Sequence, residues 1–175
     1  MSAGQLNFSV NASGIHLNGK KISIKGVNLF GLETETFSVH GLWAISLDEI
    51  LDFICKNEFN AIRLPFSLEA ALGMDKIPAG SIDTHANPKL AGVTVGQMMD
   101  AVVEGCRKRN ILVMPDLHRL KGAGQITELW YSDEFSESKV IEGWLNIVKR
   151  YKGVPHVFCV DLKNEPHGRA TWRTG

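Results

Sequence analysis

The 175 residues carry no net charge, because 19 basic and 19 acidic side chains are interspersed along the chain. Such a surface excludes a phosphate backbone or an anionic lipid surface as the main partner, so we predict neither nucleic-acid nor membrane binding. No apolar run approaches the roughly 20 residues of a membrane span. The first residues, MSAGQLNFSV, lack the pattern of a secretory signal, and the sequence leaves the native compartment open.

The N-terminal residues predict a small antiparallel cap. Two alternating runs, LNFSV (6–10) and KISIKG (21–26), flank the GIHL stretch and the pair Asn18 and Gly19. An Asn-Gly pair between alternating runs is the strongest short-range signal for a β-hairpin. We therefore assign residues 1–25 to a β-hairpin cap.

From residue 26 the pattern changes to buried strands that alternate with amphipathic helices. Apolar runs of this kind are typical of parallel strands covered on both faces; the four are GVNLF (26–30), NAIRLPF (60–66), ILVMPDLH (111–118) and HVFCVDLKN (156–164). Capping boxes at Ser46/Glu49 and Thr94/Gln97 start two helices. A third helix is indicated by an apolar stripe that we place in the core, formed by Ile141, Trp144, Leu145 and Val148.

Four strands and three helices in strict alternation predict an α/β fold with a parallel sheet and right-handed crossovers. An open doubly wound sheet is disfavoured, because no glycine-rich phosphate turn opens a helix after any strand. The loops that follow the strands are long and the returns are short, as in parallel barrels. We therefore predict one domain, 1–175, in which residues 26–175 form half of a TIM (β/α)8 barrel.

Three cysteines lie inside apolar periodic segments without metal-site spacing: Cys55, Cys106 and Cys159. An odd number in this setting favours buried, reduced thiols over a disulfide framework. Nothing in the sequence indicates a metal or an organic cofactor, and we predict none.

Polar residues stand where the predicted strands end. Arg63 interrupts an apolar strand, so its guanidinium needs a carboxylate or several acceptors, either in a structural ion pair or in a site. His118 ends the third strand, two residues after Asp116, and could bind a ligand hydroxyl or hold a backbone carbonyl. Asn164 and Glu165 end the fourth.

Glu165 precedes a proline, and this predicts the direction of its carboxylate. Pro166 restricts the preceding residue to extended conformations. We therefore expect an extended backbone at Glu165.

Three indoles fall in loops on the same side as these strand ends: Trp43, Trp130 and Trp172. Each either packs beneath its loop or presents a flat face to a ligand such as a pyranose ring. Trp144, by contrast, is predicted to be a core residue of the third helix.

These motifs, in order and spacing, resemble the first half of glycoside hydrolase family 5 cellulases, the endo-β-1,4-glucanases built on a (β/α)8 barrel. The resemblance covers about residues 15 to 172 and is carried by GVNLFGLET, HGLW, NAIRLPFS, DLHRLKGAGQITELWY and DLKNEPHGRATW. One departure is Leu29, where many relatives have an aromatic residue, with a consequence for either a sugar contact or a core contact.

The resemblance implies a role for each strand-end residue. Glu165 would be the general acid/base of a retaining hydrolase and Asn164 would bind the substrate 2-hydroxyl. His118 would contact the sugar in the cleaving subsite, and Arg63 would orient the nucleophilic carboxylate. The cleft would be lined further by His40 and Trp43.

In this family the nucleophile is a glutamate after the seventh strand, and these residues match only the first four strands. We therefore expect Arg63 to lack its acidic partner and the chain alone to be inactive. Three hypotheses stay open: a hydrolase half that needs a C-terminal half-barrel, a non-catalytic carbohydrate-binding half barrel, and a pair of copies that closes a pseudo-barrel. The expected substrate is a β-1,4-glucan such as cellulose, with mannan or mixed-linkage glucan as alternatives. Relatives of this family are usually secreted.

Overall fold

A three-stranded antiparallel sheet begins the computed structural model, which describes residues 6–73 and 76–171. Its strands are β1 (Phe8–Asn11), β2 (Gly14–Leu17) and β3 (Lys20–Lys21). Asn18 and Gly19 both adopt positive φ, 50° and 78°, as the tight turn between β2 and β3 requires. The predicted hairpin cap is confirmed.

A parallel sheet follows, made of β4 (Gly26–Asn28), β5 (Ala61–Ser67) and β6 (Leu112–Arg119) in that spatial order. Residue Arg63 pairs with Asn28 on one side and with Met114 on the other. Because the strands are parallel, their carboxyl ends lie at one edge, and the long loops leave from that edge. The predicted alternating α/β order is confirmed for these strands.

Helices cover the sheet at the predicted places. They are α1 (Leu47–Lys56), α3 (Val95–Lys108) and α4 (Glu137–Tyr151), with both predicted capping boxes formed at the starts of α1 and α3. Two short elements were not predicted from the sequence: helix α2 (Leu68–Ala71) and a 3₁₀ turn at Pro88–Leu90. Together with the sheet, the helices enclose one continuous apolar core.

The fourth predicted strand, 156–164, is wrong as a regular strand. The segment runs parallel to β6, but it makes only two isolated bridges, Val113 to Val157 and Asp116 to Asp161. Among the described residues no strand pairs with its outer edge. The segment therefore has a hydrogen-bonded neighbour on one side only and lacks the second set of backbone hydrogen bonds that would keep it a regular strand. It still keeps register with β6 through backbone hydrogen bonds, including Asp161 N to Pro115 O at 2.9 Å and Asn164 N to Leu117 O at 3.0 Å.

The buried face of α4 also differs from the prediction. The stripe placed in the core faces outward, with Ile141, Leu145 and Val148 exposed by 53%, 48% and 54%. The inner face consists instead of Val140, Gly143, Ile147 and Tyr151. Gly143 explains the choice, because its missing side chain lets α4 approach Leu68 of α2, whose Cδ1 lies 2.4 Å from the position that a Cβ would occupy.

The prediction that all three thiols are buried is wrong for two of them. Cys106 is buried, and burial raises the pKa of its thiol to about 12. Cys55 and Cys159 are exposed. Cys55 lies near the end of α1 on its outward side, and Cys159 lies on the irregular segment beside β6. All three are free of disulfide bonds.

Among residues 6–73 and 76–171, no helix is long and apolar enough to cross a membrane. The same residues contain no cluster of His, Cys, Asp and Glu able to hold a metal ion.

Candidate active site

Arg63 is the centre of a polar cluster at the carboxyl ends of the parallel strands. Its Nε and Nη2 atoms donate to Oδ2 of Asp161 at 3.2 and 2.8 Å. Nη2 also donates to Oδ1 of Asn164 at 2.9 Å and lies 3.0 Å from Oδ1 of Asp116, outside hydrogen-bond geometry. The cluster joins β5, β6 and the segment after α4.

Arg63 thus has acidic partners within this chain, and the absence of the nucleophilic carboxylate expected to face it stays a prediction. Asp116 is fully buried and Asp161 is partly buried, so two carboxylates compensate the guanidinium. Both were visible in the sequence, Asp116 two residues before His118 and Asp161 three residues before Asn164. Neither spacing was recognised as a pairing with Arg63.

His118 is held by the same cluster. Its Nδ1 lies 2.7 Å from Oδ2 of Asp116, and its Nε2 lies 3.4 Å from Nδ2 of Asn164. Asn164 is buried, whereas His118 keeps 20% of its side chain exposed. Three of the predicted site residues, Arg63, His118 and Asn164, are thus brought into mutual contact.

Glu165 directly follows this cluster, and its carboxylate accepts no hydrogen bond from the described residues. Its backbone contradicts the prediction of an extended conformation, because φ is +47°. A local contact favours this bend: Nδ1 of His167 lies 2.6 Å from the Glu165 carbonyl oxygen. The bend exposes the side chain at the edge where the strands end.

The loop after Glu165 is tied to the loop after β6. The backbone N–H of His167 donates to the carbonyl of Glu128 at 3.2 Å, and Arg169 Nε donates to the Glu128 carboxylate at 2.8 Å. Gly168 has φ +57°, and a Cβ there would lie 2.4 Å from Cδ of Glu128. A side chain at position 168 would press on the Glu128 side chain, so glycine lets the loop that carries Glu165 lie close to Glu128.

An aromatic cluster stands in the loop that follows β4. His40 stacks on Phe30 with ring centroids 4.3 Å apart, and Trp43 meets the edge of His40 at 4.4 Å. Phe30 and Trp43 are 43% and 46% exposed. Phe30 was missed, although it stands next to Leu29 at the end of an apolar run. Leu29 itself is buried, so its departure from the family pattern affects a core contact.

An apolar groove of about 1200 Å³ lies on the outer side of α4 and the segment after it. Trp130 lies in its wall. Trp144, predicted to be a core residue, is half-buried instead: it packs edge-on against Phe66 and also lines the groove. Lys163 borders it too, and burial lowers the pKa of its ammonium group. Trp172 lies outside the described residues.

This geometry suits hydroxyl-rich ligands. An amide and an imidazole are in contact, an exposed carboxylate follows next in the chain, and exposed aromatic rings stand in the loop after β4. Groups of these kinds recognise sugar rings. The Glu165 carboxylate is exposed and accepts no hydrogen bond from the part of the chain that the structure describes, whereas Asp116 and Asp161 are engaged by Arg63.

The sequence matches the family model "Cellulase (glycosyl hydrolase family 5)" over residues 16–175. An endoglucanase of Paenibacillus polymyxa is 42% identical over 158 residues, which cover 90% of this chain and 39% of that protein. The major extracellular endoglucanase of Xanthomonas campestris pv. campestris is 42% identical over 171 residues, covering 97% and 35%. The chain thus spans less than half the length of these relatives.

Solved structures of cellulases also match this chain over about half of their length. The catalytic domain of the major endoglucanase from Xanthomonas campestris superposes with a TM-score of 0.84 at 41% identity, covering 98% of this chain and 48% of that one. A cellotetraose complex of the endocellulase from Pyrococcus horikoshii gives a TM-score of 0.87 at 32% identity, covering 99% and 47%. The predicted partial barrel is confirmed: the chain corresponds to about half of each structure.

Proposed function

Because this chain belongs to glycosyl hydrolase family 5, we propose that it supplies the acid/base half of a retaining β-1,4-glucanase, with Glu165 as the proton donor. The observation that carries the proposal is the position of Glu165. Its exposed carboxylate directly follows Asn164, which is locked to Arg63 and faces His118. A general acid needs this combination of access to the leaving oxygen and fixed neighbours that hold the sugar.

Each neighbour has a distinct task in this proposal. Asn164 donates a hydrogen bond to the 2-hydroxyl, an interaction that strengthens in the oxocarbenium-like transition state. His118 binds a second hydroxyl of the same sugar. Arg63 orients the attacking carboxylate while it is compensated by Asp116 and Asp161.

The second carboxylate of the pair comes from outside these residues. Retention requires a nucleophile about 5 to 5.5 Å from the acid, and the family resemblance assigns it to a glutamate after the seventh strand. The aspartates near Glu165 are bound to Arg63 and do not match that position. We therefore expect the 175 residues alone to hydrolyse glucan negligibly.

The substrate we propose is a cellulose-like β-1,4-glucan. The exposed rings of Phe30, His40 and Trp43 offer an apolar surface for glucose rings, and a family relative has been crystallised with cellotetraose. Mannan is the second candidate substrate.

The protein partner we propose is a C-terminal half-barrel with the remaining four βα units. Its fifth strand would pair with the open edge of segment 156–164, and its helix would cover the exposed stripe of α4. A second copy of this chain is the alternative occupant, and it would leave a binding protein without turnover.

The test is complementation. The chain is mixed or co-expressed with the C-terminal part of the Paenibacillus polymyxa endoglucanase, and reducing ends released from soluble β-glucan are measured. We expect turnover from the mixture, loss of it on Glu165→Gln, and little change on the matched surface variant Glu134→Gln. A folded mixture without turnover would count against the proposal, and glucan affinity in the chain alone, weakened by Trp43→Ala, would then favour the binding role.

A further inference from the structure

The contacts of Arg63 assign a task to Asp161, the first residue of the stretch DLKNEPHGRATW, to which the resemblance gave no role. We propose that Asp161 is a positioning residue: it locks the Arg63 guanidinium in the rotation that fixes the Asn164 carboxamide for substrate. The effect of this positioning on hydrolysis rests on the proposed function. The hydrogen bonds that support the inference all lie within this chain.

The first step is the fork of hydrogen bonds at Asp161. One carboxylate oxygen, Oδ2, accepts from both Nε and Nη2 of Arg63, at 3.2 and 2.8 Å. A planar guanidinium that is held through Nε and Nη2 cannot swing about its Cδ–Nε bond. Nη2 is therefore fixed where it also reaches Oδ1 of Asn164, at 2.9 Å.

The second step is the direction of the protons. Arginine has only donors, so the Asn164 atom that faces Nη2 must be the carbonyl oxygen. The amide nitrogen then points the other way, to Nε2 of His118 at 3.4 Å. Arg63 thus decides which end of the carboxamide faces the site, and the amide nitrogen becomes the available donor.

The contacts of His118 agree with this orientation of the Asn164 carboxamide. Its Nδ1 lies 2.7 Å from Oδ2 of Asp116, a carboxylate acceptor, so Nδ1 is the donor of this pair. Nε2 is then an acceptor for the Asn164 amide. The contact between Arg63 Nη1 and His118 Nδ1, at 3.5 Å, joins two donors and contributes no bond in this arrangement.

The third step separates Asp161 from Asp116. Asp116 is fully buried and approaches Nη2 at 3.0 Å without hydrogen-bond geometry, so it balances charge without fixing rotation. Asparagine at position 161 keeps one acceptor oxygen but loses the charge, and a charge-assisted hydrogen bond is roughly twice as strong as a neutral one. Arg63 would therefore stay compensated by Asp116 but be held less firmly in its rotation. The backbone of Asp161 would be unaffected, because its N–H and carbonyl pair with Pro115 and Leu117 of β6.

The experiment is NMR on the ¹⁵N-labelled chain with Asp161→Asn, an isosteric change. We expect the Arg63 Nε–H signal to broaden through faster exchange with water, the Asn164 side-chain amide pair to move toward free-amide shifts, and the His118 tautomer signals to change. The matched control is Asp48→Asn, which removes an aspartate from Arg109 on the exposed surface; it should leave all three signals unchanged. Unchanged Arg63 and Asn164 signals in folded Asp161→Asn would overturn the proposal.

A second readout needs no unstable variant. In the unaltered chain the Nε–H proton of Arg63 should exchange with water at least about tenfold more slowly than that of Arg107, whose carboxylate partner is exposed. Equal exchange rates would overturn the proposal even if Asp161→Asn failed to fold. In the complemented enzyme, Asp161→Asn and Asn164→Ala should each lower kcat/KM for β-glucan, and the double variant should be no worse than Asn164→Ala alone. Additive losses would contradict the positioning role, whereas complementation without turnover would count against the proposed function and leave the NMR result standing.

Discussion

The buried carboxylate of Asp116 makes Arg63 the residue on which the local charge balance depends. Breaking a buried ion pair from one side leaves an uncompensated charge, which typically costs about 3 kcal/mol or more. We predict that Arg63→Met lowers the free energy of unfolding by about 3 kcal/mol, because Asp116 keeps no lysine or second arginine at contact distance among the described residues. Urea unfolding followed by circular dichroism measures it.

A double variant supplies the control for that prediction. Adding Asp116→Asn to Arg63→Met removes the stranded charge, so part of the lost stability should return. If the double variant is as unstable as the sum of the two single variants, the two side chains are not coupled as the geometry indicates.

A second residue, His156, links stability to pH. Burial, with a smaller contribution from nearby Arg107, lowers the pKa of its imidazole. In the unfolded chain the imidazole titrates near about 6.5, so the unfolded state binds more protons below that pH. The contribution of His156 to the free energy of unfolding is therefore fully present above the pKa of the unfolded state. It is lost as the pH falls through the lowered pKa of the folded state.

The measurement is the free energy of unfolding at about pH 7.5 and about pH 5.5, which bracket the unfolded imidazole pKa. We expect His156→Gln to flatten the difference between the two conditions. An unchanged difference would mean that other groups dominate the acid dependence.

At the scale of elements, the N-caps of two helices differ in a way that can be tested. The Thr94 side chain accepts from the backbone of Gln97 at 3.2 Å, whereas Ser136, which caps α4, makes no side-chain capping bond. We predict that Thr94→Ala costs about 1 kcal/mol and that Ser136→Ala costs clearly less. Thermal unfolding of both variants compares them, and equal losses would contradict the assignment of the capping bond.

The same elements show what sequence can and cannot predict. The hairpin and both capping boxes follow from contacts within a few residues, such as Asn18 with Gly19 and Ser46 with Glu49, and all were predicted. The exposure of the α4 stripe and the irregular fourth run depend on which neighbours pack against them. Apolar periodicity around Leu145 identifies a helix face suited to being covered by another element. It does not show whether that element is present.

The candidate site shows the same difference between residues that could be predicted from the sequence and those that could not. Arg63, His118 and Asn164 were predicted because parallel strands end at one edge, and the structure brings them into contact. Asp161 was missed because no local pattern indicated which of the carboxylates near the strand ends would pair with Arg63. The positive φ of Glu165 was missed as well, since it arises from a contact with His167 and not from Pro166.

For the whole molecule, the outer face of α4 sets the expectation of self-association. Exposed apolar side chains of α4 and the open edge of segment 156–164 lie together in one groove, and surfaces of this kind mark interfaces. We predict that the double change Leu145→Lys with Val148→Glu shifts the sedimentation mass toward the 19.3 kDa monomer.

The matched control is Val10→Glu, because Val10 is an exposed apolar residue on the hairpin, away from the groove. It should leave the mass distribution unchanged. A monomeric unaltered chain at high concentration would remove the basis of the prediction.

The account depends most on Glu165 as the proton donor, and leaving-group dependence tests this most directly. In the complemented enzyme, hydrolysis of β-glucan is compared with hydrolysis of an aryl cellobioside whose phenol departs without protonation. We predict that Glu165→Gln slows glucan hydrolysis by roughly 10² to 10⁴-fold, while formation of the glycosyl-enzyme from the aryl substrate is slowed far less. Equal losses on both substrates, or turnover by the 175 residues alone that survives Glu165→Gln, would contradict it.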